Sequence, residues 1–302
     1  MGRRKDELFG WLFVSPWVLG FFLLTAGPML ISLALSFTRA DMLSPTVYVG
    51  LRNYITLFST DEVKSLFWKT LGNTSFYVFL SVPSLIALGF GLALLLNQKL
   101  YARGLFRTLY YLPTVIPSVA ISLLWLMIFH RDFGLLNGAL SLVGIQGPAW
   151  LRDTQWAKPA LVLMSLWGAG GDMLIFLAGL QGVPTELYDA SKVDGCGPWQ
   201  RFRHVTVPMV SPTLFFVLVT GIIGSFQVFV TTFVMTGGGP ANATLMYVLY
   251  LYQLAFKQFS MGFASALAWV YFAILVALSL LVFRSSAAWV YYEGELLGGK
   301  GQ

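Results

Sequence analysis

Long apolar runs separated by short polar segments fill this chain from end to end. Six stretches, at about 20 mostly apolar residues or more, are long enough to cross the hydrocarbon core of a bilayer. They cover about 11–37, 72–96, 106–129, 159–181, 208–235 and 264–283. None alternates with a period of two, so helices rather than a closed barrel must satisfy the backbone. The pattern predicts an all-α integral membrane protein with six transmembrane helices. The first run follows a basic head, MGRRK, as in a secretory signal; it continues past Gly27 and Pro28 to about Phe37 and reads as a retained first helix. Pro113 and Pro117 each remove a backbone donor on one face of the third span and predict a bend there. STDEVKSLFWKTLGNT (59–74) predicts a short amphipathic helix leading into the second span, capped by Ser59 or Thr60 and anchored by Phe67 and Trp68.

Composition narrows the class further. Hydrophobic residues make up 57% of the 302 residues and charged ones 11%, too few charges to cover a soluble surface of this size. A lone cysteine, Cys196, rules out a disulfide within the chain, and His130 and His204 lack ligand-like spacing, so no metal site is expected. The net charge of +6 belongs to the basic flanks of spans rather than to a nucleic-acid surface. With the N-terminus cytoplasmic, the shorter, inner segments hold eleven of the nineteen Lys and Arg, among them Arg3, Lys99, Arg103, Lys192, Arg203 and Arg284. Both termini are therefore placed in the cytoplasm. The division that follows is an N-terminal tail, first span and outer amphipathic segment (1–70), a five-helix core (71–284) with a cytoplasmic loop at 182–207, and a cytoplasmic tail (285–302).

Two places carry candidate chemistry. The first is the loop ELYDASKVDGCGPWQRFRHVTVP (186–208). Pro184, Thr185 and Glu186 suit a helix start, and Gly195 suits its left-handed end near Asp194. WQRFRHV predicts a second short helix before Pro208 opens the fifth span. Leu187, Tyr188 and Phe202 are apolar anchors, and small Ala190 and Ser191 admit another surface. On these residues alone, a docking element and a solvated loop with an interfacial helix stand about level. The second place is Asp172 in LWGAGGDMLIFLAGLQ, an acid near the middle of a span, where charge is costly. Gly168, Gly170 and Gly171 precede it. It reads equally as a ligand for substrate hydroxyls and as a structural residue bonded to a neighbouring helix. On the fifth span, Gly224, Ser225, Phe226 and Gln227 occupy the corresponding depth, and TGGGPANAT (236–244) follows as a flexible loop at the outer face.

The loop carries a resemblance. Asp189-Ala190-Ser191, three residues, Gly195, nine residues and Val205-Thr206-Val207-Pro208 resembles the EAA motif of binding-protein-dependent ABC importer permeases, which reads Glu-Ala-Ala, three residues, Gly, nine residues, Ile-x-Leu-Pro. Asp for Glu, Ser for Ala and Val for Ile and Leu are its departures. YVGLRNYITLF, LFRTLYYLPTVIPSV, FGLLNGAL, LIFLAGLQGVP and FVMTGGGPANAT extend the resemblance to the sugar-type branch over nearly the whole chain. It implies a type I ABC importer permease fold in a bacterial or archaeal cytoplasmic membrane, and import of a sugar or oligosaccharide by alternating access. The partners it implies are a second homologous permease, an ABC ATPase dimer and an extracytoplasmic binding protein. It also implies that Asp189, Ala190, Ser191 and Gly195, with Leu187 and Tyr188, form a coupling helix against the ATPase, and that Asp172 and the span-five residues line a mid-membrane cavity. The chain has no G-x-x-x-x-G-K-[ST] loop, so it is not expected to be an enzyme, and ATP and Mg belong to the partner. A polyol phosphate such as glycerol 3-phosphate is the alternative substrate, and an ion-coupled secondary transporter or an intramembrane enzyme the alternative class. Those last two want more buried acids or a cluster of ligands than Asp172 alone supplies.

Overall fold

Runs of leucine, phenylalanine and valine this long fold as helices in the absence of water because each backbone group finds its partner one turn away. A computed structural model describes residues 2–41 and 44–291, with side chains from residue 9 onward. The helices are α1 (Gly2–Phe21), α2 (Gly27–Ser36), α3 (Arg52–Ser59), α4 (Asp61–Asn97), α5 (Arg103–Val115), α6 (Ser118–Ile128), α7 (Leu135–Leu142), α8 (Ala157–Ser165), α9 (Gly170–Gln181), α10 (Thr185–Val193), α11 (Pro198–Arg201), α12 (Val207–Phe226), α13 (Val230–Met235), α14 (Tyr247–Tyr252) and α15 (Met261–Ser286). A two-residue hairpin pairs β1 (Thr38–Arg39) with β2 (Val47–Tyr48).

Four candidate spans are Phe9–Ser36, Asp61–Asn97, Pro198–Met235 and Met261–Ser286, the third of them interrupted between α12 and α13. Two more are bent pairs, α5 with α6 at 99° and Ala157–Gly168 with α9 at 46°, and with each pair taken as one span the count is the six expected. The proline pair sets the larger bend. Ile116, which precedes Pro117, is extended at φ −75°, ψ 133°, as the clash with a proline ring demands, and α6 starts immediately after it. The amphipathic segment expected over 59–74 is not a separate helix. It forms the first turns of α4, because no residue between Asp61 and Asn97 ends the helix, Pro83 included; Lys64 N–H donates to the Thr60 carbonyl where it begins. At 37 residues α4 is about 55 Å long, well beyond the bilayer core.

The chain divides into two compact units. The first comprises the N-terminal part through Phe67 with Tyr250–Ile274. Within it Asn53 Nδ2 donates to the carbonyls of Ser36 and Thr38 at 2.8 and 2.9 Å, and Tyr54 OH donates to Ser36 Oγ at 2.7 Å, pinning α3 to the end of the first span. The second unit comprises Trp68–Leu249 and the stretch from Leu275 onward. Its core joins Ala93 and Leu96 of α4, Met173, Phe176 and Leu177 of α9, and Val210 and Val217 of α12. Phe90 meets Phe176 edge to face at 5.2 Å. The expected tail at 285–302 lies outside the described residues from 292 on.

Candidate functional site

The loop between the fourth and fifth spans is built as its residues dictate. Pro184 (φ −58°, ψ 132°) precedes α10, and Glu186 lies in the first turn, where the helix dipole favours an acid. The far end closes with two crossed bonds: Gly195 N–H donates to the Lys192 carbonyl at 3.1 Å and Cys196 N–H to the Ser191 carbonyl at 2.9 Å. Gly195 takes φ +76°, a conformation that a Cβ disfavours, so glycine is the residue for this turn. Gly197 N–H then donates to Gln200 Oε1 at 2.8 Å at the head of α11.

α11 is not a separate helix ahead of Pro208. It runs through a π-turn, Phe202–Thr206, straight into α12. The widened turn accommodates the donor that Pro208 lacks. Tyr188 OH and Thr206 Oγ1 lie 3.1 Å apart, and Tyr188 packs against the core, tying α10 to the root of the fifth span. Ser191 is buried and donates to the Tyr188 carbonyl. The opposite face of α10 is open. Asp189 and Ala190 are exposed, with Asp189 paired to Lys192 at 2.8 Å, and apolar Leu187, Val193 and Trp199 are 40%, 89% and 70% exposed. A surface helix with its apolar groups in solvent leaves surface to be buried by something else.

At mid-span the helices are interrupted. In the fourth span, a 3₁₀ turn at Leu166–Gly168 and Ala169 separate α8 from α9, which puts Gly171 and Asp172 in the first turn of a half-helix. Asp172 is half-buried and has no hydrogen bond or ion pair among the described residues. Its Cβ packs on Gly89 of α4, where an added Cβ would come within 2.9 Å of it. Gly89 is a positioning residue that sequence reasoning missed, since nothing near it in the chain marks the contact. Gly170 is pressed against the Tyr110 backbone of α5, which leaves it no room for a side chain. Gly168 is open, with nothing near its Cα face. Beside the bend lies an apolar cleft of about 580 Å³ between α4, α5 and Leu166–Gly170.

The fifth span breaks over Gln227–Phe229, between α12 and α13. Ser225 and exposed Gln227 carry side-chain polar groups with no protein partner among the described residues, Gly224 is open, and Phe226 is buried at 5%. Irregular backbone at membrane depth is tolerated where it is packed in protein or lines a cavity, and half-helix ends aim their free groups there. Gly221, just before this break, packs on Val82, seven residues from Gly89 on α4, so both interruptions border the same helix about two turns apart. No hydrogen bond joins Asp172 to Ser225 or Gln227.

The segment 236–247 differs from the expected flexible loop. Asn73 Nδ2 donates to the carbonyls of Asn242 and Leu245 at 2.9 and 3.1 Å, and Asn73 Oδ1 accepts from Lys158 Nζ at 3.1 Å. Lys69 Nζ donates to the Ala241 carbonyl at 2.8 Å, and Tyr247 N–H donates to Thr74 Oγ1 at 2.9 Å. Thr244, Met246 and Tyr247 are buried. Glycines marked the turns here, but the polar residues that tie them lie about 170 positions away and leave no local signature.

Comparison with known proteins agrees with this architecture. A family described as binding-protein-dependent transport system inner membrane component matches residues 85–290. The probable ABC transporter permease protein YesP of Bacillus subtilis is 40% identical over 296 residues, 97% of this chain and 94% of the relative. The lactose transport system permease protein LacF of Rhizobium radiobacter is 36% identical over 292 residues, 94% and 96% of the two chains. A crystal structure of a bacterial ABC transporter involved in the import of the acidic polysaccharide alginate superposes with a TM-score of 0.81 at 23% identity, covering 95% of this chain and 99% of that one.

Proposed function

The chain belongs to the family of inner membrane components of binding-protein-dependent transport systems, and from that premise we propose that it is one of two permease subunits in an ATP-driven importer of a sugar or oligosaccharide. The multi-pass helical fold and a relative named for lactose transport support this reading. The observation that carries it is the loop at Thr185–Thr206: a rigid helix and turn, tied to the root of the fifth span, with its apolar face in solvent.

On this reading the loop faces the cytoplasm, as do both termini. Leu187, Ala190 and Val193 seat against an ABC ATPase, Asp189 and Lys192 border the contact, and Ser191 and Tyr188 hold α10 to the span. ATP and Mg²⁺ act on that partner. Closure of the two ATPases moves α10, and because α11 runs into α12 without a break, the motion reaches the interruption at Gln227 as a rigid-body displacement. Substrate delivered by an extracytoplasmic binding protein enters a cavity shared with a second, homologous permease. Asp172 and Gln227 accept and donate hydrogen bonds to its hydroxyls there, with Ser225 beside them. Gly168, Gly171 and Gly224 keep the wall low, and buried Phe226 supports it from behind.

Asp172→Asn keeps the side-chain shape and removes the charge. Uptake of a labelled sugar by cells carrying the intact importer is expected to show a changed competition profile, with affinity for the preferred sugar down about tenfold, the loss of one charge-assisted hydrogen bond. An unchanged profile assigns Asp172 a structural role on Gly89, and absence of uptake of any sugar removes the substrate class.

A further inference from the structure

At the end of the second unit opposite the Asp189–Gly195 loop lies a second cavity, of about 420 Å³. Buried Phe129 forms its floor, His130, Arg131, Asp132 and Arg152 its rim, and Gly239–Pro240 its opposite wall. The walls are fixed. Asn137 Nδ2 donates to the carbonyls of Arg131 and Pro148 at 3.0 and 3.2 Å, while Trp150 Nε1 donates to Asn137 Oδ1 at 2.7 Å. One side chain thus holds the turn that carries Arg131 against the strand of chain leading to Arg152. Arg152 N–H donates to the Ala149 carbonyl at 2.8 Å, closing the second turn. Across the cavity, Thr244 Oγ1 donates to the Gly239 carbonyl at 2.6 Å and pins the loop wall.

The rim holds two guanidinium groups and neither is spent on the protein. Among the described residues the one ion pair is Lys192–Asp189, so neither Arg131 nor Arg152 has a carboxylate within ion-pair reach, although Asp132 shares their rim. A neutral sugar needs no such pair of cations. A guanidinium offers a planar fork that matches a carboxylate, while Asp132 and the turn carbonyls accept hydroxyls. The volume falls in the range of small-molecule pockets and is larger than one acidic side chain fills.

We propose that this cavity is a reception subsite for a carboxylated sugar, such as a uronate at the end of an oligosaccharide, with Arg131 and Arg152 taking the carboxylate and Asp132 a ring hydroxyl. This rests on the sugar-import reading and narrows its substrate class. In the orientation proposed above the subsite opens on the outer face, ahead of the mid-span interruptions.

The test uses the full chain, purified with its partners in lipid nanodiscs and titrated with digalacturonate and with lactose as an uncharged comparison. The readout is intrinsic fluorescence, Trp150 being 5.8 Å from Phe129 on the cavity floor. Digalacturonate is expected to bind at least about tenfold tighter than lactose. Arg131→Gln and Arg152→Gln are each expected to weaken it about tenfold, the loss of one charge-assisted contact, and to leave lactose unchanged. Equal binding of the two sugars, or wild-type digalacturonate binding by both variants, overturns the proposal. If the variants keep digalacturonate but lose stimulation of ATP hydrolysis by the binding protein, the arginines receive a carboxylate of that protein and the sugar assignment fails. Uptake of lactose by the same importer, together with failure here, leaves the import reading standing and removes only this subsite.

Discussion

The two ends of the second unit are built on opposite plans. At one end the segment 236–247 is drawn inward. Asn73, Thr74 and Lys69 supply side-chain bonds to its backbone, Lys158 donates to Asn73 behind them, and Leu245, Met246 and Tyr247 are buried. At the other end α10 keeps, among the described residues, one side-chain hydrogen bond to the body, Tyr188 with Thr206, and leaves Leu187 and Val193 in solvent. The first loop is tied down by this chain's own side chains, and the second leaves apolar surface open. A loop whose conformation is fixed while its apolar surface is open presents a preformed seat, so docking incurs little ordering entropy.

That contrast makes unequal predictions for the two ends. Asn73→Ala strips the carbonyls of Asn242 and buried Leu245 and the Lys158 ammonium of their partner at once and is expected to cost about 2–4 kcal/mol, lowering Tm by on the order of 5–10 °C in detergent. An unchanged melting curve means that the segment at 236–247 is held by packing alone. Lys192→Ala removes an ion pair whose side chains are 58% and 70% exposed, so a change below about 0.5 kcal/mol is expected by the same thermal measurement. A large loss there means that α10 is far less self-sufficient than its capping bonds indicate.

Much of this was legible in the sequence because it is local. Span positions follow from hydropathy, the bend from Pro113 and Pro117, and the end of α10 from Gly195, whose left-handed turn needs only its own neighbours. The interruption at Gln227–Phe229 was not legible: no glycine or proline marks it, and a polar Ser and Gln within an apolar run fit an unbroken helix as well. The continuity of α11 with α12 was hidden for the converse reason, since Pro208 signals a start and a π-turn absorbs it. Tertiary clamps such as Asn73 and the Gly89 seat for Asp172 depend on residues far apart in the chain, which no local pattern encodes. The resemblance read from Asp189-Ala190-Ser191 and Gly195 reached the family; the physical pattern alone reached the membrane and stopped level between a docking element and a solvated loop.

The most direct test of the central claim is a gentle-detergent pull-down of this chain from native membranes, beside Gly195→Pro, with co-purifying proteins identified by mass spectrometry. Proline cannot take the φ of +76° that the turn requires, so the variant disturbs α10 while leaving the spans in place. The account predicts that the natural chain brings down an ABC ATPase and a second permease, and that the variant keeps the permease and loses the ATPase. Recovery of the natural chain alone under conditions that preserve a control complex, or full ATPase recovery with the variant, contradicts it.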